Sequence, residues 1–224
     1  MVELREVEFA YRQGFRLRVN ALDLAPGRTL ALVGPSGSGK TTLLHLIAGI
    51  LAPAQGTVRV AGHTLSSMSE AKRRRFRVTQ VGMVFQEPRL LDHLDLLTNI
   101  LLPFHIHPAL RLDRAARERA QALARGCGLG DRLSYKPARL SQGERQRAAV
   151  CRALVTRAPL LLADEPTSSL DEANARAVLD ALLAHVRQEG GTLIALTHDR
   201  GSLDRFDRVV DVRSLAGGPV AAAP

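Results

Sequence analysis

The octapeptide GPSGSGKT occupies positions 34–41, between the apolar run TLALV at 29–33 and a segment of helical pattern at 40–48. It fits G-x-x-x-x-G-K-[ST] at every position, and it has the context which that pattern requires, a buried strand before it and a helix after it. Glycines let backbone N–H groups turn inward around phosphate oxygens, and the helix N-terminus adds a favourable dipole. The segment therefore predicts an α/β fold with a phosphate-binding loop.

The side chains of this loop indicate its ligand. Lys40 can reach the β- and γ-phosphates of a nucleoside triphosphate, and the Thr41 hydroxyl can ligate Mg²⁺. The loop residues expected to bind the nucleotide are Gly34, Pro35, Ser36, Gly37, Ser38, Gly39, Lys40, Thr41 and Thr42. The loop alone does not say which class of nucleotide-binding protein carries it.

Two adjacent acids follow a second apolar strand, PLLLA at 159–163. A carboxylate at the carboxyl end of a strand beside the phosphate loop can hold Mg²⁺, which is the role expected for Asp164. The next carboxylate, Glu165, can polarise a water for in-line attack on the γ-phosphorus. The alternative is a surface turn after the strand. It is disfavoured because adjacent acids on an apolar strand are costly to bury without a cation.

A helix is predicted to begin within LSQGE at 140–144. Ser141 and Glu144 fit the capping box S-x-x-E, in which each side chain bonds the backbone N–H of the other. The free N–H groups of such a helix start also suit a phosphate. The segment is therefore expected both to cap the helix and to contact a phosphate.

The rest of the pattern predicts strands alternating with helices, and therefore a mainly parallel sheet. A helical insertion is expected at 87–141, because the pattern from 92 to 136 is helical. The predicted strands are 2–10, 15–24, 29–33, 56–62, 81–85, 159–163, 191–196 and a last one near 207–213. Helices are predicted at 40–48, 69–77, 142–156 and 171–188, with a short helix before the last strand and a frayed tail, GGPVAAAP.

Composition limits the class of protein. The 224 residues are 46% hydrophobic and 24% charged, which excludes wholesale disorder. Their formal net charge is +9. Residues 71–147 hold 16 Lys and Arg against 7 Asp and Glu, whereas the rest of the chain is balanced. A single basic surface is therefore expected, and an evenly basic coat for nucleic acid is not. The basic run at 72–77 favours a solvated helix face over an anionic-lipid or nucleic-acid site.

Other features favour a protein without structural metal or membrane span. Cys127 and Cys151 are both placed in predicted helices, as small core residues of a reducing compartment. His93, His105 and His107 lack further ligands for a metal site. The first residues do not form a signal peptide, and the longest weakly polar stretch, 41–55, is shorter than the roughly 20 apolar residues of a membrane span. The chain is expected to be cytosolic.

With these motifs, the sequence resembles an ATP-binding cassette (ABC) ATPase over residues 2–213. Gln86 matches the Q-loop glutamine, LSQGE at 140–144 the family signature, and Asp164 with Glu165 the Walker B acid and catalytic glutamate. The D-loop is matched by 168–171, ending in Asp171, the switch histidine by His198, and the adenine-stacking aromatic by Tyr11. The motifs occur in the family's order, which is more specific than any one of them.

The resemblance implies roles for these residues. ATP and Mg²⁺ are the expected cofactors, with Thr41, Gln86 and Asp164 at the metal and Glu165, His198 and Gln86 in hydrolysis. The signature residues Ser141, Gln142, Gly143 and Glu144 are expected to contact the ATP of a partner subunit. Gln142 departs from the family's usual glycine, which puts the efficiency of the signature in question.

The resemblance also implies an architecture. One nucleotide-binding domain, 1–224, is expected, with 1–86 and 142–224 forming a core with an antiparallel β subdomain and 87–141 a helical subdomain. Two copies are expected to form a head-to-tail homodimer that drives a separate integral membrane permease, from the cytoplasmic face of the inner membrane and without nucleic acid. The sequence looks most like the branch for lipoprotein release, macrolide export and cell division.

Two alternatives stay open. One is a mechanotransmission ATPase that acts on an envelope partner without transport, and the other is a soluble ABC ATPase of DNA repair or translation. The transported substrate and its direction are not readable from this chain.

Overall fold

The computed structural model describes residues 1–11 and 14–216, which form two sheets with flanking helices. The strands are β1 (Val2–Ala10), β2 (Arg16–Leu24), β3 (Thr29–Val33), β4 (Gln55–Val60), β5 (His63–Thr64), β6 (Val81–Val84), β7 (Leu160–Asp164), β8 (Thr192–Leu196) and β9 (Arg208–Asp211). The α-helices are α1 (Lys40–Ile47), α2 (Glu70–Gln80), α3 (Leu96–Ile106), α4 (Arg114–Gly126), α5 (Gln142–Leu154) and α6 (Glu172–Glu189). The tail expected to fray, 217–224, lies outside the described residues.

The larger sheet is parallel, with the strand order β6-β7-β8-β3-β9. β3, β7 and β8 are buried along almost their whole length, as their continuous apolar runs require in a sheet covered on both faces. The carboxyl ends of all these strands share one edge. At that edge Asp164 ends β7, and the phosphate loop, Gln86 and His198 each follow a strand. The predicted mainly parallel α/β fold is confirmed.

The smaller sheet is antiparallel and has the order β2-β1-β4-β5. β1 and β2 pair along their whole length, from Val2 opposite Leu24 to Ala10 opposite Arg16. Their alternate apolar side chains join α1 and β3 in one core. The expected antiparallel subdomain is thus present. β5 was not predicted, because a two-residue strand is too short to show an alternating pattern.

The helical insertion packs on α5 through a core of its own, to which α3 contributes Leu96 and Ile100 and α4 contributes Ala120 and Ala124. The predicted helical stretch consists of α3, α4 and two 3₁₀ turns, Gly130–Arg132 and Pro137–Arg139. Cys127 was expected inside a helix but forms the C-cap of α4. The helix ends there because Gly128 has a left-handed φ of +69°.

The C-terminal elements are shorter than expected. The short helix is a 3₁₀ helix, Arg200–Arg205, and the strand predicted near 207–213 ends at Asp211. The Asp211 carboxylate accepts from the Arg213 backbone N–H at 2.9 Å, which turns the chain into a 3₁₀ helix, Val212–Ala216. Within the part of the chain that the structure describes, no helix is both long enough and apolar enough to cross a membrane.

Candidate nucleotide-binding site

Lys40 lies inside the phosphate loop. Its ammonium donates to the carbonyl oxygens of Gly34 at 2.7 Å and Pro35 at 3.0 Å, and the residue is only 6% exposed. A cation held by carbonyls alone is a strong donor for phosphate oxygens that enter the loop, because a charge-assisted pair is stronger than a neutral one. The loop thus holds its positive charge ready for an anion.

The start of α1 offers further donors. Its N-cap, Gly39, has a left-handed φ of 94° and provides no side-chain cap, so the first N–H groups of α1 stay available. This left-handed φ favours glycine, and a Cβ at Gly39 would lie 2.9 Å from a Phe15 ring atom. The Ser38 hydroxyl is buried and has no hydrogen-bond partner within residues 1–11 and 14–216. Unpaired donors at a helix N-terminus suit a phosphate.

Asp164 ends β7 beside the loop. Thr41 Oγ1 lies 3.5 Å from Asp164 Oδ1. Burial raises the pKa of Asp164, the hydrogen bond from Thr41 opposes this, and the negative charge of Glu165 adds to the rise. Hydroxyl and carboxylate oxygens are the ligands that Mg²⁺ prefers, and a cation would relieve the cost of the buried carboxylate. The residues present therefore fit a magnesium ion.

Gln86 leaves the same edge of the sheet. It follows β6, which pairs in parallel with β7 and so ends beside Asp164. The buried Gln146 amide donates to the Phe85 carbonyl at 3.0 Å, which ties this segment to α5. The Gln86 side chain is exposed at this edge.

Glu165 and His198 form a close pair. His198 Nε2 lies 2.8 Å from Glu165 Oε1. Glu165 has a left-handed φ of 45°, and its backbone N–H donates to Leu196, at the end of β8, at 3.2 Å. A non-glycine residue held in this region stores strain, and such strain is concentrated at functional sites. The backbone itself thus aims the carboxylate at His198.

A cavity of 470 Å³ joins the loop to an aromatic group, and we call it the nucleotide cavity. The Tyr11 ring is 43% exposed and stacks edge-on against Phe9 at 4.8 Å between centroids. The volume lies in the range of small-molecule sites. The residues lining the cavity are Tyr11, Phe15, Ser36, Gly37, Gly39, Lys40, Thr41, Thr42 and Glu165.

The predicted capping box at the start of α5 is present. Ser141 Oγ accepts from the Glu144 backbone N–H at 3.2 Å, and Glu144 Oε2 accepts from the Ser141 N–H at 2.8 Å. The bond from Ser141 lowers the pKa of Glu144, and Arg132, 3.3 Å away, lowers it further. Ser141 and Gln142 are exposed.

Asp171 lies beside this helix start. It caps α6 by accepting from the Asn174 backbone N–H at 2.8 Å, and the hydrogen bonds from Asn174 lower its pKa. Asn174 in turn packs against Gly143. We call residues 140–144 with Asp171 the signature surface. Among the described residues that line the nucleotide cavity, none belongs to it.

The sequence-predicted residues therefore fall into two groups, those at the nucleotide cavity and those of the signature surface, while Gln86 is not among the described residues that line the cavity. Tyr11, the phosphate loop and Glu165 meet in the nucleotide cavity, and Asp164 and His198 contact residues that line it. Sequence reasoning missed Phe15 and Asn174. Phe15 begins an alternating strand like any other apolar residue, whereas the third position after the helix cap Asp171 was a usable signal for Asn174.

Comparison with known proteins agrees with this geometry. The family described as "ABC transporter" matches residues 17–168. The lipoprotein-releasing system ATP-binding protein LolD of Hydrogenovibrio crunogenus is 40% identical over 213 residues, covering 93% of this chain and 91% of that protein. LolD 2 of Caulobacter vibrioides is 42% identical over 197 residues, covering 88% and 86%.

Solved structures show the same architecture. The dimeric post-hydrolysis state of the ATP-binding cassette MJ0796, bound to ADP and Pi, has a TM-score of 0.85 at 28% identity and covers 94% of both chains. CbiO1 of Clostridium perfringens, described as part of the ABC transporter complex cbiONQ, has a TM-score of 0.77 at 25% identity, covering 88% of this chain and 78% of that one.

Proposed function

The chain belongs to the ABC transporter family as an ATP-binding, ATP-hydrolysing subunit, and we propose that its membrane partner is a lipoprotein-releasing permease. The observation that carries this proposal is the similarity to LolD proteins, at 40% identity over more than nine tenths of both chains. Macrolide export and cell division were part of the same sequence-based prediction, and the LolD relatives favour lipoprotein release among them.

ATP occupies the nucleotide cavity in this proposal. The adenine stacks on Tyr11, and the phosphates lie in the loop of residues 34–42, where Lys40 exchanges its carbonyl partners for phosphate oxygens. Thr41, Asp164 and Gln86 would hold Mg²⁺. When bound, that ion neutralises charge that develops on the phosphate oxygens.

Hydrolysis uses the Glu165 and His198 pair. Glu165 accepts a proton from the attacking water as the water oxygen bonds to the γ-phosphorus in line, while the bond from that phosphorus to the β–γ bridging oxygen breaks and ADP leaves. His198 Nε2, 2.8 Å from Glu165 in this structure, turns towards the γ-phosphate and keeps the water in place. Gln86 lies at the same sheet edge and senses the γ-phosphate.

A second copy completes the site. The signature surface lies outside the nucleotide cavity of its own chain, and in this proposal Ser141, Gln142, Gly143 and Glu144 contact the ATP held by the other copy. The family relative MJ0796 was solved as a dimer. The homodimer closes on two ATP molecules and opens after hydrolysis, which moves the permease.

The chain divides by role in this proposal. Residues 1–86 and 142–224 form the ATPase core with its β subdomain, and 87–141 form the helical subdomain. The protein works at the cytoplasmic face of the inner membrane and reaches the membrane through the permease.

Affinity purification of the tagged chain from membranes of its own host tests the proposal. We expect a permease to co-purify, and the complex in liposomes to transfer an acylated lipoprotein to an acceptor in an ATP-dependent manner. Recovery only in the cytosol or with ribosomes would overturn membrane function. Activation of an envelope hydrolase without lipoprotein transfer would replace transport with mechanotransmission.

A further inference from the structure

Asn174 connects the two parts of the signature surface. It lies in the first turn of α6, three residues after Asp171, and its side chain is half-buried. Its amide nitrogen Nδ2 donates to Asp171 Oδ2 at 2.7 Å, and its amide oxygen Oδ1 accepts from the Arg147 guanidinium of α5. One carboxamide therefore bridges the end of the D-loop and the signature helix.

The chemistry of its neighbours fixes this amide in one orientation. A carboxylate such as Asp171 only accepts hydrogen bonds, and a guanidinium such as Arg147 only donates them. The carboxamide carries a donor NH2 group and an acceptor oxygen on the same carbon, so it satisfies both partners at once. Aspartate, with the same shape, lacks the donor, and its charge would repel Asp171.

Gly143 shows how close this contact is. A Cβ placed on Gly143 would lie 2.6 Å from both Cγ and Oδ1 of Asn174, and 2.9 Å from its Nδ2. Real Cβ contacts are not this short, so the signature glycine leaves the space that the Asn174 amide fills. The backbone of the signature thus rests directly on the Asn174 side chain.

Arg147 extends the connection to the helical insertion. Its Nε donates to the Cys127 carbonyl at the C-cap of α4, at 3.0 Å, while Nη1 reaches Asn174. A planar guanidinium holds two partners in fixed directions better than a flexible ammonium. The link therefore runs from α4 through α5 to the start of α6.

We propose that Asn174 is a positioning residue that holds Asp171 and the signature backbone at Gly143 in one fixed arrangement. This inference rests on the proposed function, in which both segments face the ATP-bearing partner. Two surfaces that must meet one partner bind more tightly when their relative position is set in advance. Asn174 contacts no residue that lines the nucleotide cavity through its side-chain hydrogen bonds, so its effect belongs to dimer closure.

Asn174→Asp separates positioning from mere helix capping. Aspartate near a helix N-terminus stabilises the helix, so a residue needed only for the start of α6 should tolerate the change. A residue needed to bridge Asp171 and Arg147 should not, because the donor is lost and a second negative charge faces Asp171. The two roles therefore predict opposite outcomes for one conservative variant.

ATP-dependent dimerisation in a Glu165→Gln background measures this. We expect Asn174→Asp to weaken the dimer at least about tenfold by sedimentation velocity, with ATP affinity of the dilute monomer and Tm unchanged. Arg176→Ala, an exposed change on α6, is the matched control and should leave the dimer as it is. A dimer as tight with Asn174→Asp as with the control overturns the inference.

A double-mutant cycle tests the contact with Gly143. Gly143→Ala alone should weaken the dimer, because the new methyl group pushes against the Asn174 amide. Once Asn174→Ala has removed that amide, Gly143→Ala should add little further loss. Full additivity of the two effects would contradict the contact.

The same experiment separates this inference from the proposed function. Failure of the Glu165→Gln protein itself to dimerise with ATP removes the proposed function, and the inference with it. Dimerisation of that protein without any effect of Asn174→Asp removes the inference alone.

Discussion

The nucleotide cavity and the signature surface are held in shape by different means. In the cavity, hydrogen bonds that involve backbone groups hold the key residues. The Lys40 ammonium donates to loop carbonyls, and the Glu165 backbone N–H donates to the end of β8. On the signature surface, side chains dominate, with the Ser141 and Glu144 box and the bridge through Asn174. The geometry of the cavity therefore depends on the sheet, whereas the geometry of the signature surface depends on individual side chains.

This difference sets how mutations should act. Changes in the cavity should lower ATP affinity or turnover directly, because the groups there act on the nucleotide itself. Changes on the signature surface should instead shift the dimer equilibrium or the stability of a helix start. The predictions below run from the largest expected effect to the smallest.

Glu165→Gln should have the largest effect, because it removes the chemistry of the cavity and leaves the signature surface unchanged. The amide keeps the shape of the side chain but cannot take a proton, so steady-state phosphate release should fall by about 10²- to 10⁴-fold. ATP binding and ATP-dependent dimerisation should persist, because Lys40 and the signature surface are unchanged. Glu172→Gln, an exposed carboxylate at the start of α6, is the control and should retain its turnover. Near-wild-type turnover of Glu165→Gln would remove Glu165 as the base.

Lys40→Ala should affect the cavity alone. The buried ammonium and its charge-assisted bonds to phosphate are lost, so ATP affinity should fall by about 10- to 100-fold by isothermal titration calorimetry. Lys72→Ala removes an equal charge from the exposed face of α2 and serves as the control. Equal affinities in the two variants would show that the loop lysine does not bind the nucleotide.

Tyr11→Ala should weaken binding to a lesser degree. Stacking of an aromatic ring contributes about 1 kcal/mol beyond the buried area, so ATP affinity should fall by about fivefold. Tyr11→Phe keeps the ring against Phe9 and should bind ATP nearly as well as the wild type. If the phenylalanine variant is as weak as the alanine variant, the hydroxyl and not the ring is responsible.

The contrast between backbone contacts and side-chain contacts also explains which features were predictable from the sequence. β3 and β7 were predictable because their apolar runs are continuous, and the phosphate loop because its glycines recur at fixed spacing after β3. The edge that gathers Gln86, Asp164 and His198 follows from parallel strands alone. The roles of these residues stay predictions.

Contacts between distant side chains were not predictable. The approach of Asn174 to Gly143 and Arg147 depends on how α5 and α6 pack, and no local pattern encodes that packing. The end of β9 at Asp211 depends on one side-chain bond to the Arg213 N–H, which an apolar pattern does not show. Local motifs thus specified the backbone-built region better than the side-chain-built one.

Glu144→Gln should give the smallest effect and measures how much the Glu144 charge stabilises the start of α5. Glutamine still fits the capping box, so the variant removes only the charge that Arg132 and the helix start favour. The pKa of Glu144 is lowered in the folded chain, chiefly by the hydrogen bond from Ser141. A lowered folded pKa stabilises the fold above the unfolded value of about 4.3, and this contribution is lost as pH falls through the folded value.

The wild type should therefore unfold at a slightly higher urea concentration than Glu144→Gln at pH 7, and the gap should close as the pH is lowered below about 4. Glu118→Gln, whose carboxylate pairs with the exposed Arg114 on α4, is the control and should show a smaller gap at pH 7. A gap for Glu144→Gln that stays constant with pH would mean that the carboxylate charge does not stabilise the start of α5. The signature would then be held by hydrogen-bond geometry alone.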